Sequence, residues 1–191
     1  MMLPVTAYGH PILKKKGEEI TKDYPGLEQL IADMFETMYE SHGVGLAAQQ
    51  VNRAIRLFIV DANPFAKEYP EAEGFKKVFI NAHITRREGE MIEFEEGCLS
   101  IPGINEYVSR EPIIYMSYYD ENFNFHKEEK FEGVQARIIQ HEYDHNEGIL
   151  FVEKLPNFKK ILLKRKLNDI TTGKYKPDYK MLYPKKKIKQ K

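Results

Sequence analysis

Only one cysteine, Cys98, occurs in the 191 residues, so no disulfide within the chain can brace the fold. A lone cysteine is by default a small buried hydrophobe, and a chemical role has to be argued from its neighbours. An excess of charge of either sign is also missing. The 29 basic and 29 acidic residues give a formal net charge of +0, which removes a global field as a reason to expect nucleic-acid binding. No apolar run approaches the ~18 residues of a membrane span. The opening MMLPVTAYGHPILKKKGEEI lacks the charged, apolar, small-residue order of a signal peptide. No internal repeat is found. A cytoplasmic protein with no membrane association is the expectation.

What is present reads as one globular domain, since 191 residues at 42% hydrophobic content suffice for a substantial core. Leu27, Leu30, Ile31, Met34, Phe35 and Met38 recur at helical spacing and predict a core-facing helix that ends at Gly43. IRLFIVDA (55–62) is a β-branched, buried-type strand. The polar segment 63–76, with its Pro and Gly, reads as a loop. KVFINAHIT (77–85) and GEMIEFEEG (89–97) read as strands. The stretch from Tyr107 to Gly133 reads as two strands about a turn at Asp120–Asn124. A helix then carries QHEYDH (140–145), and a last helix runs from about Pro156 to Asp169 with Phe158, Ile161 and Leu162 on it. Clustered strands flanked by helices predict an α+β fold, with antiparallel sheets packed around a central metal-binding helix and with an N-terminal and a C-terminal helix. The catalytic domain is expected over residues 1–173. The basic tail 174–191, KYKPDYKMLYPKKKIKQK, is expected to be flexible.

The chemistry lies in H-E-x-x-H. On a helix, His141 and His145 share one face and suit two neighbouring ligands of a tetrahedral ion. Glu142 is rotated roughly 100° from His141 around the helix, too far for a third ligand but near enough to exchange a proton with water beside the ion. Val134, Ile138, His141 and His145 follow i, i+4, i+7, i+11, so both imidazoles continue an apolar stripe. Unpaired imidazoles are costly in such a place, and metal ligation would satisfy them. The third ligand is open at this level. Phe151 stands where an extended zinc-protease motif would carry a third His, Glu147 and Glu153 are available carboxylates, and Cys98 offers a thiolate.

Three segments together resemble the motifs of peptide deformylases, in that family's order: GVGLAAQQ (43–50), EGCLS (96–100) and QHEYDH (140–145). The resemblance covers roughly Leu3 to Asp169. It implies a bacterial hydrolase that removes the N-formyl group from formylmethionyl nascent peptides. It also implies one divalent ion per chain, Fe2+ first and Zn2+, Ni2+ or Co2+ as substitutes, held by Cys98, His141 and His145. By the same resemblance Gln50 and the Leu99 N–H donate to the oxyanion, Glu142 moves the proton, and Glu96 and Arg110 pair behind the ligands. Taken alone, Gln50 is an exposed polar residue and Glu96 and Arg110 are surface charges. Gly43 and Gly45 would admit a peptide backbone close by. A methionine side chain calls for an apolar pocket beside the metal, for which Val44, Phe94, Val134 and Ile138 are the candidates.

Some features depart from the family pattern. Segment 63–76 is longer than in many relatives, the tail beyond Gly173 lies outside the pattern, and Asn105 stands where some relatives carry a basic residue. Two other readings compete. One is a zinc endopeptidase with a carboxylate third ligand. The other is a ribosome-binding module built from FKKILLKRKL and the Lys-rich tail, although charge runs are usually solvated faces. A sequence-specific nucleic-acid partner is not expected.

Overall fold

The computed structural model describes residues 1–185. Strand β1 (Val5–Thr6) is followed by helix α1 (Leu27–Glu40), the short strand β2 (Gly45–Ala47) and β3 (Leu57–Asp61). Strands β4 (Lys76–Glu88), β5 (Ile92–Gly97), β6 (Asn105–Arg110), β7 (Ile113–Tyr119) and β8 (Phe125–Glu132) come next. Helix α2 (Gly133–Asn146), helix α3 (Asn157–Thr171) and strand β9 (Met181–Leu182) complete the order. An antiparallel sheet runs β2-β3-β4-β7-β8. β5 and β6 form a separate antiparallel pair, and β1 pairs with β9 in parallel.

The apolar run of β3 is explained by burial on both sides. Phe58 and Val60 pack with Phe79, Phe131 and the α2 residues Val134, Ile138 and Ile139. Leu57 and Ile59 face Met34 and Met38 of α1. The sheet is thus a layer between α1 and α2, and alternate side chains of one strand serve two cores. A third core joins Ile101, Ile104 and Val108 to Leu163, Leu167 and Ile170 of α3. Eleven of the fourteen residues of α2 are buried, Gln140 and Asp144 included: its apolar residues enter the first core, the His141 ring meets Phe151, Asn146 bonds Gln49 and Leu57, and Asp144 bonds Arg110.

Three expectations need correction, and the buried face of α3 needs stating. Helix α1 ends at Glu40, before Gly43, because His42 adopts a left-handed φ of 59°. The stretch 107–133 holds three strands, not two. Pro112 has no N–H to donate, so the chain breaks there, and the part before it pairs with β5. On α3, Phe158, Ile161 and Leu162 are 61%, 72% and 75% exposed, while Leu163, Leu167 and Ile170 supply the buried face. The tail is not free between 174 and 185. Val5 N–H donates to the Lys180 carbonyl (2.8 Å) and Ala7 N–H to the Leu182 carbonyl (2.9 Å), which seats β9 beside β1. Residues 186–191 of the expected tail lie outside the described residues.

Candidate metal centre

Helix α2 brings His141 and His145 to one face, and the turn after β5 brings Cys98 to them. Their three ligand atoms lie within 4.8 Å of one another, and Cys98 Sγ is 3.3 Å from His145 Nε2. Among the described residues this is the only cluster of three or more His, Cys, Asp or Glu side chains with that spacing. One soft thiolate and two imidazoles form a donor set for a borderline ion such as zinc or ferrous iron. Burial pushes the His145 imidazole well below its ordinary pKa, so it presents a neutral nitrogen.

Charged groups behind the ligands fix their orientation. Glu96 Oε2 lies 2.9 Å from His141 Nδ1. A carboxylate there accepts the Nδ1 proton and leaves Nε2 as the ring nitrogen that would meet an ion. Arg110 grips the same carboxylate with Nε at 2.7 Å and Nη2 at 2.9 Å, and its Nη1 reaches Asp144 at 2.6 Å. Arg137 Nη1 adds a 3.2 Å contact to Glu96. Burial acts to raise the Glu96 pKa, but Arg110 and His141 outweigh it and hold the carboxyl well below the usual range.

Around the cluster, Glu142 is buried and its Oε2 has no hydrogen-bond partner among the described residues. Burial pushes its carboxyl up to about 7. Gln50 is buried too. Its Oε1 accepts from the Ala47 N–H at 2.8 Å, which aims the amide Nε2 toward Cys98 Sγ (3.5 Å) and Ser100 Oγ (3.4 Å). The Leu99 N–H has no backbone partner among the described residues. An unpaired buried carboxylate oxygen, an amide donor and a free N–H thus converge beside a ligand set that fits a metal ion.

The space beside the cluster has two parts. A small pocket of about 100 Å³ is lined by Val44, Phe65, Phe94, Arg137 and Ile138, with His141 and Glu142 at its end. A larger groove of about 800 Å³ continues past Cys98 and Leu99 to Tyr175–Tyr179. Val44, Phe94 and Ile138 therefore border the small pocket. Val134 does not: it is turned into the sheet core with Phe58 and Phe131. Sequence reasoning missed Phe65 because segment 63–76 was read only as a polar loop. It contains two 3₁₀ turns (Asn63–Phe65 and Pro70–Ala72), and the available signal was the four-residue spacing of the aromatics Phe65 and Tyr69, whose rings meet edge to face. Glu147 and Glu153, the alternative carboxylate ligands, lie elsewhere, paired with Lys16 and Arg56 and with Lys14 respectively.

Residues 2–161 match the family described as Polypeptide deformylase. The chain belongs to the peptide deformylase family. It is 55% identical to a peptide deformylase of Flavobacterium psychrophilum, over 98% of this chain and 100% of that one. It is 52% identical to one from Christiangramia forsetii, over 98% of each. Among solved structures, a Plasmodium falciparum peptide deformylase superposes with a TM-score of 0.79 at 37% identity, covering 88% of this chain and 95% of that chain. A Synechococcus elongatus peptide deformylase in complex with actinonin gives a TM-score of 0.74 at 34% identity, covering 90% and 87%. The α+β fold with antiparallel sheets around the motif helix is the fold of those deformylases, and the chain is accordingly a metal-dependent hydrolase of that family.

Proposed function

We propose that this chain removes the formyl group from N-formylmethionyl peptides with one divalent ion held by Cys98, His141 and His145. The observation that carries the reading is the buried, unpartnered Glu142 Oε2 beside a three-ligand cluster. When bound, the ion supplies Lewis-acid charge that polarises the formyl group and acidifies water. The methionine side chain enters the small pocket between Val44, Phe65, Phe94 and Ile138, whose apolar walls suit a flexible thioether. Gly45, on the edge strand β2, leaves room for the peptide backbone to lie alongside. Gln50 Nε2–H and the Leu99 N–H donate to the formyl oxygen as it becomes negative. Glu142 takes the proton of the attacking water at a carboxylate oxygen and passes it to the departing amine nitrogen. Formate and a free methionyl amine result. Glu96 and Arg110 hold His141 in the required tautomer.

The ion we assign is Fe2+, with Zn2+, Ni2+ or Co2+ as functional substitutes, because thiolate and imidazole donors accept all four. The substrate is a nascent chain, so the site of action is the bacterial cytoplasm. Docking at the ribosome is supported by α3, where exposed Phe158, Ile161 and Leu162 stand among lysines. No helix among the described residues is long and apolar enough to cross a membrane.

The test is Glu142→Ala, assayed on formyl-Met-Ala-Ser after anaerobic purification with metal analysis. Full metal content with deformylation reduced about 10²–10⁴-fold is expected. Loss of the ion from an intact helix would instead make Glu142 a ligand and remove its role as proton carrier.

A further inference from the structure

The groove beside the metal cluster is much larger than the small pocket next to it, about 800 Å³ against about 100 Å³. One of its walls is a short tail segment, Tyr175 to Tyr179, which stands with Pro102 and Gly103. That segment lies beyond residue 161, where the family match ends. It is nevertheless held from several sides. The Lys174 and Tyr175 N–H groups donate to the Asp169 carbonyl at 2.9 and 3.2 Å, in the last turn of α3. The Tyr179 hydroxyl donates to the Leu99 carbonyl at 2.8 Å, and β9 follows two residues later against β1. Between these anchors the ring of Tyr175 rests on Gly103. A β-carbon on that glycine, whose φ is +74°, would lie 2.6 Å from the Tyr175 hydroxyl oxygen and 2.8 Å from its Cζ. Tyr175 is nonetheless 45% exposed, so part of its ring is open to whatever enters the groove.

We propose that Tyr175 is a specificity-determining residue of the deformylation reaction: its ring meets the third residue of the substrate and favours an apolar or aromatic side chain there. The inference rests on the function proposed above, with methionine in the small pocket and the peptide alongside β2. Methionine then fills only the small pocket, and the groove is left to the residues that follow it. An extended chain advances about 3.3 Å per residue, so the third residue stands roughly 7 Å on from methionine. The second residue lies by β2 and the ligand turn, and the third is assigned to the tail wall. Charge does not set the preference. His42, Glu95, Lys176 and Asp178 line the same groove with both signs, and all four are exposed, where ion pairs contribute little. Of the two tyrosines in the wall, Tyr179 is the less exposed and commits its hydroxyl to Leu99. Tyr175 is the exposed aromatic, and an aromatic face suits an apolar or aromatic partner.

The experiment measures kcat/KM of the full-length, metal-loaded enzyme on formyl-Met-Ala, formyl-Met-Ala-Ser and formyl-Met-Ala-Phe. Wild type is expected to favour the Phe peptide over the Ser peptide about fivefold, the scale of one aromatic contact. Tyr175→Ala should bring the two peptides to within about twofold of each other, with metal content unchanged and formyl-Met-Ala, which ends before the tail wall, cleaved as by wild type. Tyr175→Phe should keep the preference, since the ring rather than the hydroxyl makes the contact. A wild type indifferent to the third residue would overturn the proposal, and this arm needs no variant to fold. So would a preference that survives in Tyr175→Ala or disappears in Tyr175→Phe. An equal loss on all three peptides in Tyr175→Ala would also overturn it, because Tyr175 would then be a structural prop of the site. Failure of wild type to deformylate any of the three would sink the proposed function itself, whereas deformylation without a third-residue preference sinks only this inference.

Discussion

A β-carbon on Gly45 would lie 2.5 Å from Glu142 Oε1 and 2.7 Å from its Cγ. The edge strand β2 and helix α2 therefore approach closely enough to trap the carboxylate between them, and the absence of a side chain at 45 is what leaves it room. Gly45→Ala should displace Glu142 without disturbing the ligands. Activity is expected to fall about 10²-fold, the scale of a misplacement of about 1 Å, with metal content unchanged. Undiminished kcat in a folded Gly45→Ala enzyme would mean that the Glu142 side chain can relocate without cost to the proton transfer.

Cys98→Ser should lose the ion or bind it far more weakly. A neutral hydroxyl is a much poorer ligand than a thiolate at neutral pH. Metal analysis after dialysis reads this directly. A stoichiometric, fully active Cys98→Ser protein would point back to a carboxylate third ligand.

Replacing Arg110 should destabilise the whole domain. Arg110 is 3% exposed and bonds both Glu96 and Asp144. Arg110→Leu leaves two buried carboxylates short of a partner, a loss expected at about 3–5 kcal/mol and measurable by urea titration. The pH dependence follows from Glu96, whose carboxyl is held down in the folded state despite its burial. A group of this kind stabilises above its unfolded pKa, about 4.5, and loses that contribution as pH falls below it. Wild type should therefore weaken more steeply than Arg110→Leu on acidification below that point. Parallel curves would show that the pairing contributes nothing to the acid response.

Ile138 and Val134 are one turn apart on α2 and share one core, but only Ile138 also borders the small pocket. Ile138→Asp sets a carboxylate against the space assigned to the methionine side chain and should raise KM for formyl-Met peptides sharply. Val134→Ala should cost stability through a core cavity and leave KM alone. Equal effects on KM would remove this helix from the substrate pocket.

The iron-loaded enzyme should lose activity in air faster than a zinc-loaded one. Ferrous iron on a thiolate reacts with oxygen, and zinc is redox-inert. Equal half-lives would argue against iron as the working metal.

The ligand helix was legible because the constraint is local: H-E-x-x-H and the apolar stripe from Val134 share one period. β3 was legible because a strand buried on both faces must be continuously apolar. Pairing information was weaker. Nothing in the run from Tyr107 to Gly133 states that β6 leaves the large sheet for β5, although Pro112 marks the place. Val134 and Ile138 looked alike in the stripe, because helical spacing gives a face but not what lies opposite it. On α3 Phe158, Ile161 and Leu162 stay exposed while the core takes Leu163, Leu167 and Ile170, a choice that local spacing does not state. The packing of the tail could not be read from periodicity at all. β9 is only two residues long.

The pairing of Val5 with Met181 also bears on how the chain reaches its native state. Hairpins such as β7–β8 and the turns of α2 close short loops, at little entropic cost. The β1–β9 pair closes nearly the whole chain into one loop, and contacts of such long sequence separation slow folding. That pair is expected to be the last to form, and the bonds from the Tyr8 N–H to the Ser100 carbonyl and from the Tyr179 hydroxyl to the Leu99 carbonyl reach the turn bearing Cys98 only at that step. Recovery of catalytic turnover during refolding should therefore lag behind recovery of helical circular dichroism.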